Sequence, residues 1–315
     1  MRLSVCICTY NGEKRIPLVI RALKEQDFDC EDWEVIIVDN ASTDETLNVA
    51  KKLISEELEC RSKVVLERNP GLSHARSCAA NEAQGDVVCF LDDDNIPARD
   101  WVSSVSSAFC KFENAGVIGG KVLPRWEVPP PPLAEAVAPF ALAICDLGDK
   151  EQRIDHEGGG IVGAGMCIRT KLLREIYNDP KSPARVTGRI GNNLMSGEDL
   201  VISILAREKG WECWYVPSMS INHCLPASRT TKEYLLRLYD GIGRGQAATR
   251  RIYDGRARSP LALLISLKDL FRWIELYGKS IFSSSQIRAS SLDSDLRDLH
   301  RSQLRGRILE ALRFY

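Results

Sequence analysis

The sequence lacks an excess of charge of either sign. Its 42 lysines and arginines nearly balance 43 aspartates and glutamates, which leaves a formal net charge of -1 over 315 residues. A dedicated nucleic-acid binder depends on a broad basic surface. The balance therefore argues against nucleic acid as a partner, and we expect none.

The sequence also lacks paired Cys-x-x-Cys spacings, although it contains 11 cysteines. Without such pairs, it has no zinc-knuckle pattern. Its first residues lead into a short strand-like run, with no apolar segment as long as a signal peptide. We therefore expect a cytoplasmic protein with reduced thiols. Some of these cysteines lie in apolar contexts, where free cysteine packs as a small hydrophobic residue; they are Cys6, Cys8, Cys78, Cys89 and Cys167.

The first half of the chain alternates apolar runs of strand length with helical patterns. The runs are Leu3–Cys8, Glu34–Val38, Val64–Leu66 and Val87–Leu91. A first helix is predicted by the helical spacing of Ile16, Val19, Ile20 and Leu23. A capping-box spacing at Ser42–Glu45 should open a second helix, which runs through Leu53. A third helix is predicted from about Leu72 to Ala83. This repeated order predicts an α/β fold with a doubly wound, mostly parallel sheet.

Polar residues follow each predicted strand, at the edge of such a sheet where ligands bind. They supply hydroxyls, amides and carboxylates, and they are Thr9, Tyr10, Asn11, Asp39, Asn69, Gly71 and the triplet Asp92, Asp93 and Asp94.

The triplet places three adjacent carboxylates directly after a buried strand. This arrangement is costly unless a cation, several donors or bulk water compensates the charge. Hard cations such as Mg²⁺ and Mn²⁺ prefer oxygen ligands and often accompany nucleotide phosphates. The alternative is a solvated acidic turn.

Several motifs follow one another along the chain: Val5–Asn11, Val38–Asp44, Asn69–Arg76, Phe90–Pro97, Gly163–Met166, Gly197–Leu200 and Gly210–Trp211. In this order and spacing they resemble glycosyltransferase family two, the inverting nucleotide-sugar transferases with the GT-A fold. The resemblance covers about residues 1–225, and its motifs are highly specific as a set. The family's frequent Gly-Ala-Asn pattern is replaced here by one that ends in Gly165.

The resemblance implies roles for the donor-side residues. Asp39 corresponds to the aspartate that binds the base and ribose, and the triplet corresponds to the metal motif. Side chains alternate along a strand, so Asp92 and Asp94 should share a side. We expect Asp94 to bind the metal directly, with Asp92 or Asp93 reaching the ribose or a metal-bound water. A cap or turn role for Asp39 is the alternative.

Other residues complete the predicted site. Asp199 corresponds to the family's catalytic base, and Glu198 should bind acceptor hydroxyls or orient Asp199. Carboxylates at a helix start are also simply stabilising. Arg76 could hold the nucleotide as a fixed cation, or could be a surface helix arginine. His223 could approach the metal or diphosphate, or could be a packed structural residue.

We expect a catalytic domain over residues 1–225, with a nucleotide-sugar half over about 1–123 and an acceptor half over about 124–225. The tetraproline Pro129–Pro132 predicts an extended connection. Residues 226–315 are predicted to form a helical extension. A helical pattern over 263–281 is too charged to span a bilayer. It could lie on the cytoplasmic face of a membrane, near several arginines, or pack on the core or a partner subunit.

We therefore expect a metal-dependent inverting glycosyltransferase that uses Mn²⁺ or Mg²⁺. Its donor should be a nucleoside-diphosphate sugar, with UDP as the family-based preference, and its acceptor a glycan or lipid-linked hydroxyl in cell-envelope polysaccharide biosynthesis. One alternative is a nucleotidyltransferase, which should show a basic glycine-rich loop after the first strand. The other is a non-catalytic nucleotide-sugar-binding or membrane scaffold protein.

Overall fold

A computed structural model of the chain describes residues 1–155, 159–185, 188–189, 194–253 and 291–312. In these residues the strands, numbered in chain order, are β1 Leu3–Thr9, β2 Trp33–Asp39, β3 Arg61–Leu66, β4 Val87–Asp92, β5 Asn95–Pro97, β6 Ala115–Gly119, β7 Val122–Trp126, β8 Gln152–Arg153, β9 Cys167–Arg169, β10 Glu212–Tyr215 and β11 Ile221–Leu225. The α-helices are α1 Ile16–Lys24, α2 Thr46–Glu57, α3 Leu72–Glu82, α4 Trp101–Lys111, α5 Pro132–Ala141, α6 Thr170–Asn178, α7 Glu198–Glu208, α8 Lys232–Tyr253 and α9 Ser291–Leu312.

The main sheet has the strand order β3-β2-β1-β4-β9-β6-β10-β8. Its first four strands are parallel, and their registers bring Thr9 opposite Asp39 and Cys8 opposite Asp92. Strands β1, β2 and β4 are apolar and almost wholly buried, as is typical of parallel strands. Their carboxyl ends therefore lie side by side, and the predicted α/β class with a mostly parallel sheet is confirmed.

The remaining strands change direction around the site. β9 is antiparallel to both β4 and β6, and β8 is antiparallel to β10. A second sheet has the order β5-β11-β7. In it β5 and β11 are antiparallel, and Asn95 lies opposite His223. This pairing brings the chain beyond residue 220 back beside the residues that follow the acidic triplet.

The chain divides into two compact units, each built from three segments. The first contains Met1–Arg125, Ala143–Val186 and Asp199–Leu225. It includes the main sheet.

The second unit contains Trp126–Leu142, Thr187–Glu198 and Pro226–Tyr315. Within it, α8 packs against α9 and α5. The predicted domain boundary at residue 225 stays a prediction.

Three local details differ from the sequence-based expectations. The predicted capping box is wrong: α2 begins at Thr46, where Asp44 accepts hydrogen bonds from the Thr46 backbone and hydroxyl, and Ser42 is used elsewhere. The tetraproline ends in a helix, because Pro132 begins α5 in the first-turn position that proline favours. The sequence pattern also predicts a last helix from Leu292 through Leu299, whereas α9 begins at Ser291 and extends to Leu312.

The helical pattern predicted over 263–281 lies outside the described residues. Among the described helices, none combines the length and apolar character that crossing a bilayer requires.

Candidate active site

The end of β1 is joined to the acidic triplet through Asp93. The Thr9 hydroxyl donates to one Asp93 carboxylate oxygen at 2.5 Å. Arg15 donates to both oxygens, from Nε and from Nη2, at 2.8 Å each. Asp93 is only 8% exposed, so this arginine compensates its charge inside the fold. The middle carboxylate of the triplet therefore holds the triplet against the β1 loop.

The loops after β1 and β2 are joined through Asn11. This residue has a positive φ of 50°, a left-handed conformation that asparagine tolerates. Its backbone N–H donates to the Ser42 hydroxyl at 2.9 Å, and its side-chain oxygen accepts from the Thr43 N–H at 2.8 Å. The neighbouring Tyr10 side chain is 47% exposed, and its backbone carbonyl accepts from Arg15. Asn11 thus shapes the loop, whereas Tyr10 presents its ring to solvent.

Asp39 and Asn40 organise the next corner of the sheet edge. Asp39 is buried, and its Oδ1 accepts from the Ser42 N–H at 3.3 Å. The Asn40 side chain donates to the Asn69 carbonyl at 2.7 Å and accepts from the Gly71 N–H at 2.7 Å. Sequence reasoning selected Asp39, Asn69 and Gly71 but missed the role of Asn40. The available signal was its place directly after Asp39 at a strand end.

Asp94 and His223 lie together at the other side of the triplet. His223 Nε2 is 3.5 Å from Asp94 Oδ1, and both side chains are 7% exposed. The Cys224 N–H donates to the Asp94 carbonyl at 2.8 Å, which holds β11 beside the triplet. The Asp92 N–H donates to the Asn95 side chain at 3.1 Å. The predicted metal ligands Asp94 and His223 are therefore brought together from distant parts of the sequence.

A carboxylate and an imidazole are ligands that Mn²⁺ accepts, and Mg²⁺ favours the carboxylate. The described residues contain no group of three or more His, Cys, Asp or Glu side chains placed to hold a metal ion. The Asp94–His223 pair fits a cation that takes its remaining ligands from a phosphate and water, as Mg²⁺ does in nucleotide sites.

Asp199 lies beside a glycine-rich backbone segment. Its Oδ2 accepts from the Gly163 N–H at 3.1 Å, and its Oδ1 accepts from the Leu200 N–H at 2.9 Å. The Ser203 hydroxyl donates to the Asp199 carbonyl at 2.9 Å and accepts from the Ile161 N–H at 3.0 Å. Two backbone donors thus orient the carboxylate.

Arg76 reaches the same glycine from α3. It is 3% exposed, and its guanidinium lies 5.0 Å from the centroid of the Phe90 ring. A Cβ added to Gly163 would be 3.2 Å from Arg76 Nη2 and 3.6 Å from Asp199 Oδ2. The alternative of a surface arginine is therefore wrong, and Arg76 and Asp199 share one neighbour. Glu198, which begins α7, is also buried.

Residues 4–177 match the family model described as Glycosyl transferase family 2. This match covers more than half of the 315 residues. The chain belongs to glycosyl transferase family 2. The family and the enzyme class expected from the motifs, a glycosyltransferase, are confirmed.

Curated relatives of this family 2 chain are glycosyltransferases. Poly(ribitol-phosphate) beta-N-acetylglucosaminyltransferase TarS of Staphylococcus aureus is 35% identical over 118 residues, which are 38% of this chain and 20% of TarS. The matched stretch thus spans about a fifth of that relative. Glucosyl-dolichyl phosphate glucuronosyltransferase of Haloferax volcanii is 24% identical over 242 residues, 75% of this chain and 73% of that protein.

Solved glycosyltransferases share the fold of this family 2 chain. The mannosyltransferase PcManGT of Pyrobaculum calidifontis, with GDP-Man and Mn²⁺, has a TM-score of 0.60 and 17% identity, over 99% of this chain and 87% of that chain. S. aureus TarS 1-349 with UDP-GlcNAc has a TM-score of 0.51 and 18% identity, over 99% and 89% of the two chains. The GT-A fold is therefore confirmed, while the roles of individual residues stay predictions.

Proposed function

We propose that this chain transfers a sugar from a nucleoside-diphosphate sugar to a hydroxyl of a glycan or lipid-linked acceptor, with inversion at the anomeric carbon. The observation that carries the proposal is the buried Asp94–His223 pair, at the sheet edge that also bears Asp39. Fold neighbours have been solved in complex with UDP-GlcNAc, and with GDP-Man and Mn²⁺. They support a nucleotide-sugar donor and a divalent cation.

Asp94 and His223 are the residues that would hold Mn²⁺ or Mg²⁺, with Asp92 as the second carboxylate. When bound, such a cation neutralises the negative charge that grows on the diphosphate leaving group. Asp93 has a different task in this proposal. Because Arg15 and Thr9 engage its carboxylate, it supports the loop that carries Asp92 and Asp94.

The donor nucleotide would lie along the edge formed by β1 and β2. In this proposal Asp39 accepts a hydrogen bond from a base N–H or a ribose hydroxyl, beside the Asn69–Gly71 loop that Asn40 holds. Thr9, Tyr10 and Asn11 border this edge on the β1 side. UDP is the expected nucleotide, and turnover of UDP-sugars against GDP-sugars tests this expectation.

Asp199 is the proposed general base. The acceptor hydroxyl attacks the anomeric carbon from the face opposite the leaving group. Its proton passes to the Asp199 carboxylate, and the bond to the diphosphate breaks. One displacement inverts the configuration, and a positioned base contributes about 10²–10⁴-fold. Glu198 binds acceptor hydroxyls or orients Asp199. Arg76, fixed between Phe90 and Gly163, supplies a permanent positive charge near the reacting groups.

The proposal extends to the rest of the chain. Residues 1–225 are the catalytic part, and residues 226–315 contact the acceptor's environment, at the cytoplasmic face of a membrane or on a partner. The relatives include a poly(ribitol-phosphate) beta-N-acetylglucosaminyltransferase and a glucosyl-dolichyl phosphate glucuronosyltransferase, which agrees with an acceptor of the cell envelope.

The test is release of nucleoside diphosphate from a panel of UDP- and GDP-sugars with Mn²⁺, with Mg²⁺ and with EDTA. The acceptor panel should include poly(ribitol phosphate) and polyprenyl-phosphate-linked sugars. Turnover is expected with one donor and a divalent cation. Asp199→Asn should lower kcat by about 10²–10⁴-fold. Glu208→Gln, an exposed carboxylate at the other end of α7, is the matched control and should stay active.

Three outcomes contradict the proposal. Formation of nucleoside triphosphate and sugar 1-phosphate when pyrophosphate is added, without release of nucleoside diphosphate, indicates a nucleotidyltransferase. Donor binding without turnover on any acceptor indicates a scaffold protein. Full activity of Asp199→Asn removes Asp199 as the base.

A further inference from the structure

Helix α8 contains three glycines at alternate positions, Gly241, Gly243 and Gly245. A helix with glycine at an interior position is less stable than one with alanine there, because glycine loses more backbone freedom on folding. A helix of 22 residues that carries three of them should therefore have a packing reason for each.

Two of these glycines contact the segment that precedes the proposed base. A Cβ added to Gly241 would overlap the backbone carbonyl of Leu194, and one added to Gly245 would overlap that of Ser196. One turn further along α8, Thr249 Oγ1 would lie 3.7 Å from a Cβ added to Gly197. Three successive turns of α8 thus lie along the backbone from Leu194 to Gly197.

The third glycine serves a different contact. A Cβ added to Gly243 would overlap the backbone carbonyl of Gln303 on α9. From the α9 side, a Cβ added to Gly306 would overlap the carbonyl of Asp240. Packing of α8 on α9 is therefore separate from its contact with the 194–197 segment, and the two can be tested apart.

The segment has a backbone that needs support. Gly197 has a φ of 127°, a conformation in which side chains are strained, and it directly precedes Glu198 and Asp199. A glycine in this conformation has many alternatives when nothing holds it. Thr249 is itself fixed, since its hydroxyl donates to the Gly245 carbonyl at 2.8 Å.

We propose that α8 is a positioning element for the catalytic carboxylates. Gly241, Gly245 and Thr249 hold the backbone of Leu194–Gly197, and this backbone places Glu198 and the adjacent Asp199. The inference rests on the proposed function for the role of Asp199. Gly241 and Gly245 are positioning residues that act through the segment. A displacement of about 1 Å at a catalytic group can cost about 10²-fold in rate.

The experiment compares Gly241→Ala and Gly245→Ala with Gly243→Ala. The first two should lower kcat by about 10- to 100-fold, with the KM for the donor unchanged within about twofold. Hydrogen exchange of the amides from 195 to 199 should become faster in both. Gly243→Ala disturbs only the contact of α8 with α9. Below its unfolding midpoint temperature, this variant should therefore have the same kcat and the same amide hydrogen-exchange rates as the parent protein.

If a glycine variant does not fold, Thr249→Leu tests the same contact of α8 with the 194–197 segment, because it only enlarges a side chain beside Gly197. It should lower kcat in the same direction without changing donor KM. Equal losses of kcat in Gly243→Ala and Gly241→Ala overturn the inference, as do unchanged kcat and exchange in Gly241→Ala, Gly245→Ala and Thr249→Leu. A parent protein without transferase activity is a failure of the proposed function instead, and hydrogen exchange still tests the contact with α8.

Discussion

Arg15 and Asp93 form a two-point ion pair in which each carboxylate oxygen accepts a hydrogen bond of 2.8 Å from a different guanidinium nitrogen. The pair joins the start of α1 to the middle of the acidic triplet. Asp94, the next residue, lies instead 3.5 Å from His223. The adjacent carboxylates Asp93 and Asp94 thus have different partners. Asp93 has a structural role, and Asp94 has a proposed role in metal binding.

Arg15→Lys should destabilise the fold by about 1–2 kcal/mol, because lysine cannot reproduce the two-point contact and Asp93 is buried. The effect is no larger because the Arg15 side chain is 40% exposed, and solvent screens its ion pair. Urea unfolding measures this change. Arg99→Lys alters an ion pair whose side chains are 74% and 58% exposed, and should change stability by less than about 0.5 kcal/mol. Similar values for both variants would remove the structural role of Asp93.

His223→Ala should raise the Mn²⁺ concentration needed for half-maximal activity by about 10- to 100-fold, the range found when residues around a metal are removed. Direct titration of Mn²⁺ in the presence of the nucleoside diphosphate should show the same weakening without turnover. His74→Ala, on the exposed side of α3, is the control and should leave the titration unchanged. A normal Mn²⁺ affinity in His223→Ala would mean that His223 is only a packed residue.

Asn40→Ala should lower the free energy of unfolding by about 2 kcal/mol, because it leaves the Gly71 N–H and the Asn69 carbonyl without their side-chain partner. It should also weaken nucleoside-diphosphate binding measured by calorimetry, since the 69–71 loop borders the proposed nucleotide site. Asn48→Ala, on the exposed face of α2, makes the same chemical change and should affect neither quantity. If the two variants bind nucleotide equally well, Asn40 does not shape the donor site.

The stability of the fold should decrease as the pH rises above 9. Burial raises the pKa of Cys60 from 9.0 to about 12, and that of Cys145 and Cys213 to about 11. Between pH 9.0 and the raised pKa of each buried thiol, the unfolded chain releases a thiol proton that the folded chain keeps. The free energy of unfolding therefore decreases as the pH rises. Each thiol contributes up to about 1.4 kcal/mol per pH unit. Urea unfolding between pH 8 and 10.5 measures the slope.

The thiol contribution can be separated by two alanine variants. Cys213→Ala should make the decrease with pH shallower, whereas Cys30→Ala removes an exposed thiol and should keep the parent slope. Identical slopes in all three proteins would mean that other groups cause the decrease.

Much of the α/β half of the fold could be predicted from the sequence, because its signals are local. Continuous apolar runs such as Leu3–Cys8 suit strands covered on both faces, and the polar residues after them mark one sheet edge. The capping-box prediction failed because tertiary contacts took its residues. The Ser42 hydroxyl and the Thr43 N–H bind Asn11 instead of the start of α2.

The sequence motifs select the carboxylates proposed for the site, but they do not indicate the residues that support them. Asp39, Asp94 and Asp199 stand in motifs that can be read along the chain. Arg15 lies outside these motifs, and Asn40, although it lies in the Val38–Asp44 motif, carries no signal of which groups its side chain binds. Their importance depends on partners that are distant in sequence, such as Asp93, which lies 78 residues from Arg15.

The sequence by itself determined the family, the parallel strands and the set of acidic residues available for chemistry. Only the tertiary structure decided which carboxylate of the triplet is neutralised by Arg15, which one faces His223, and which helix lies along the segment before Asp199. The reason is physical. Strand alternation is a property of a few consecutive residues, whereas the partner of a charge depends on which groups the fold brings within hydrogen-bond distance.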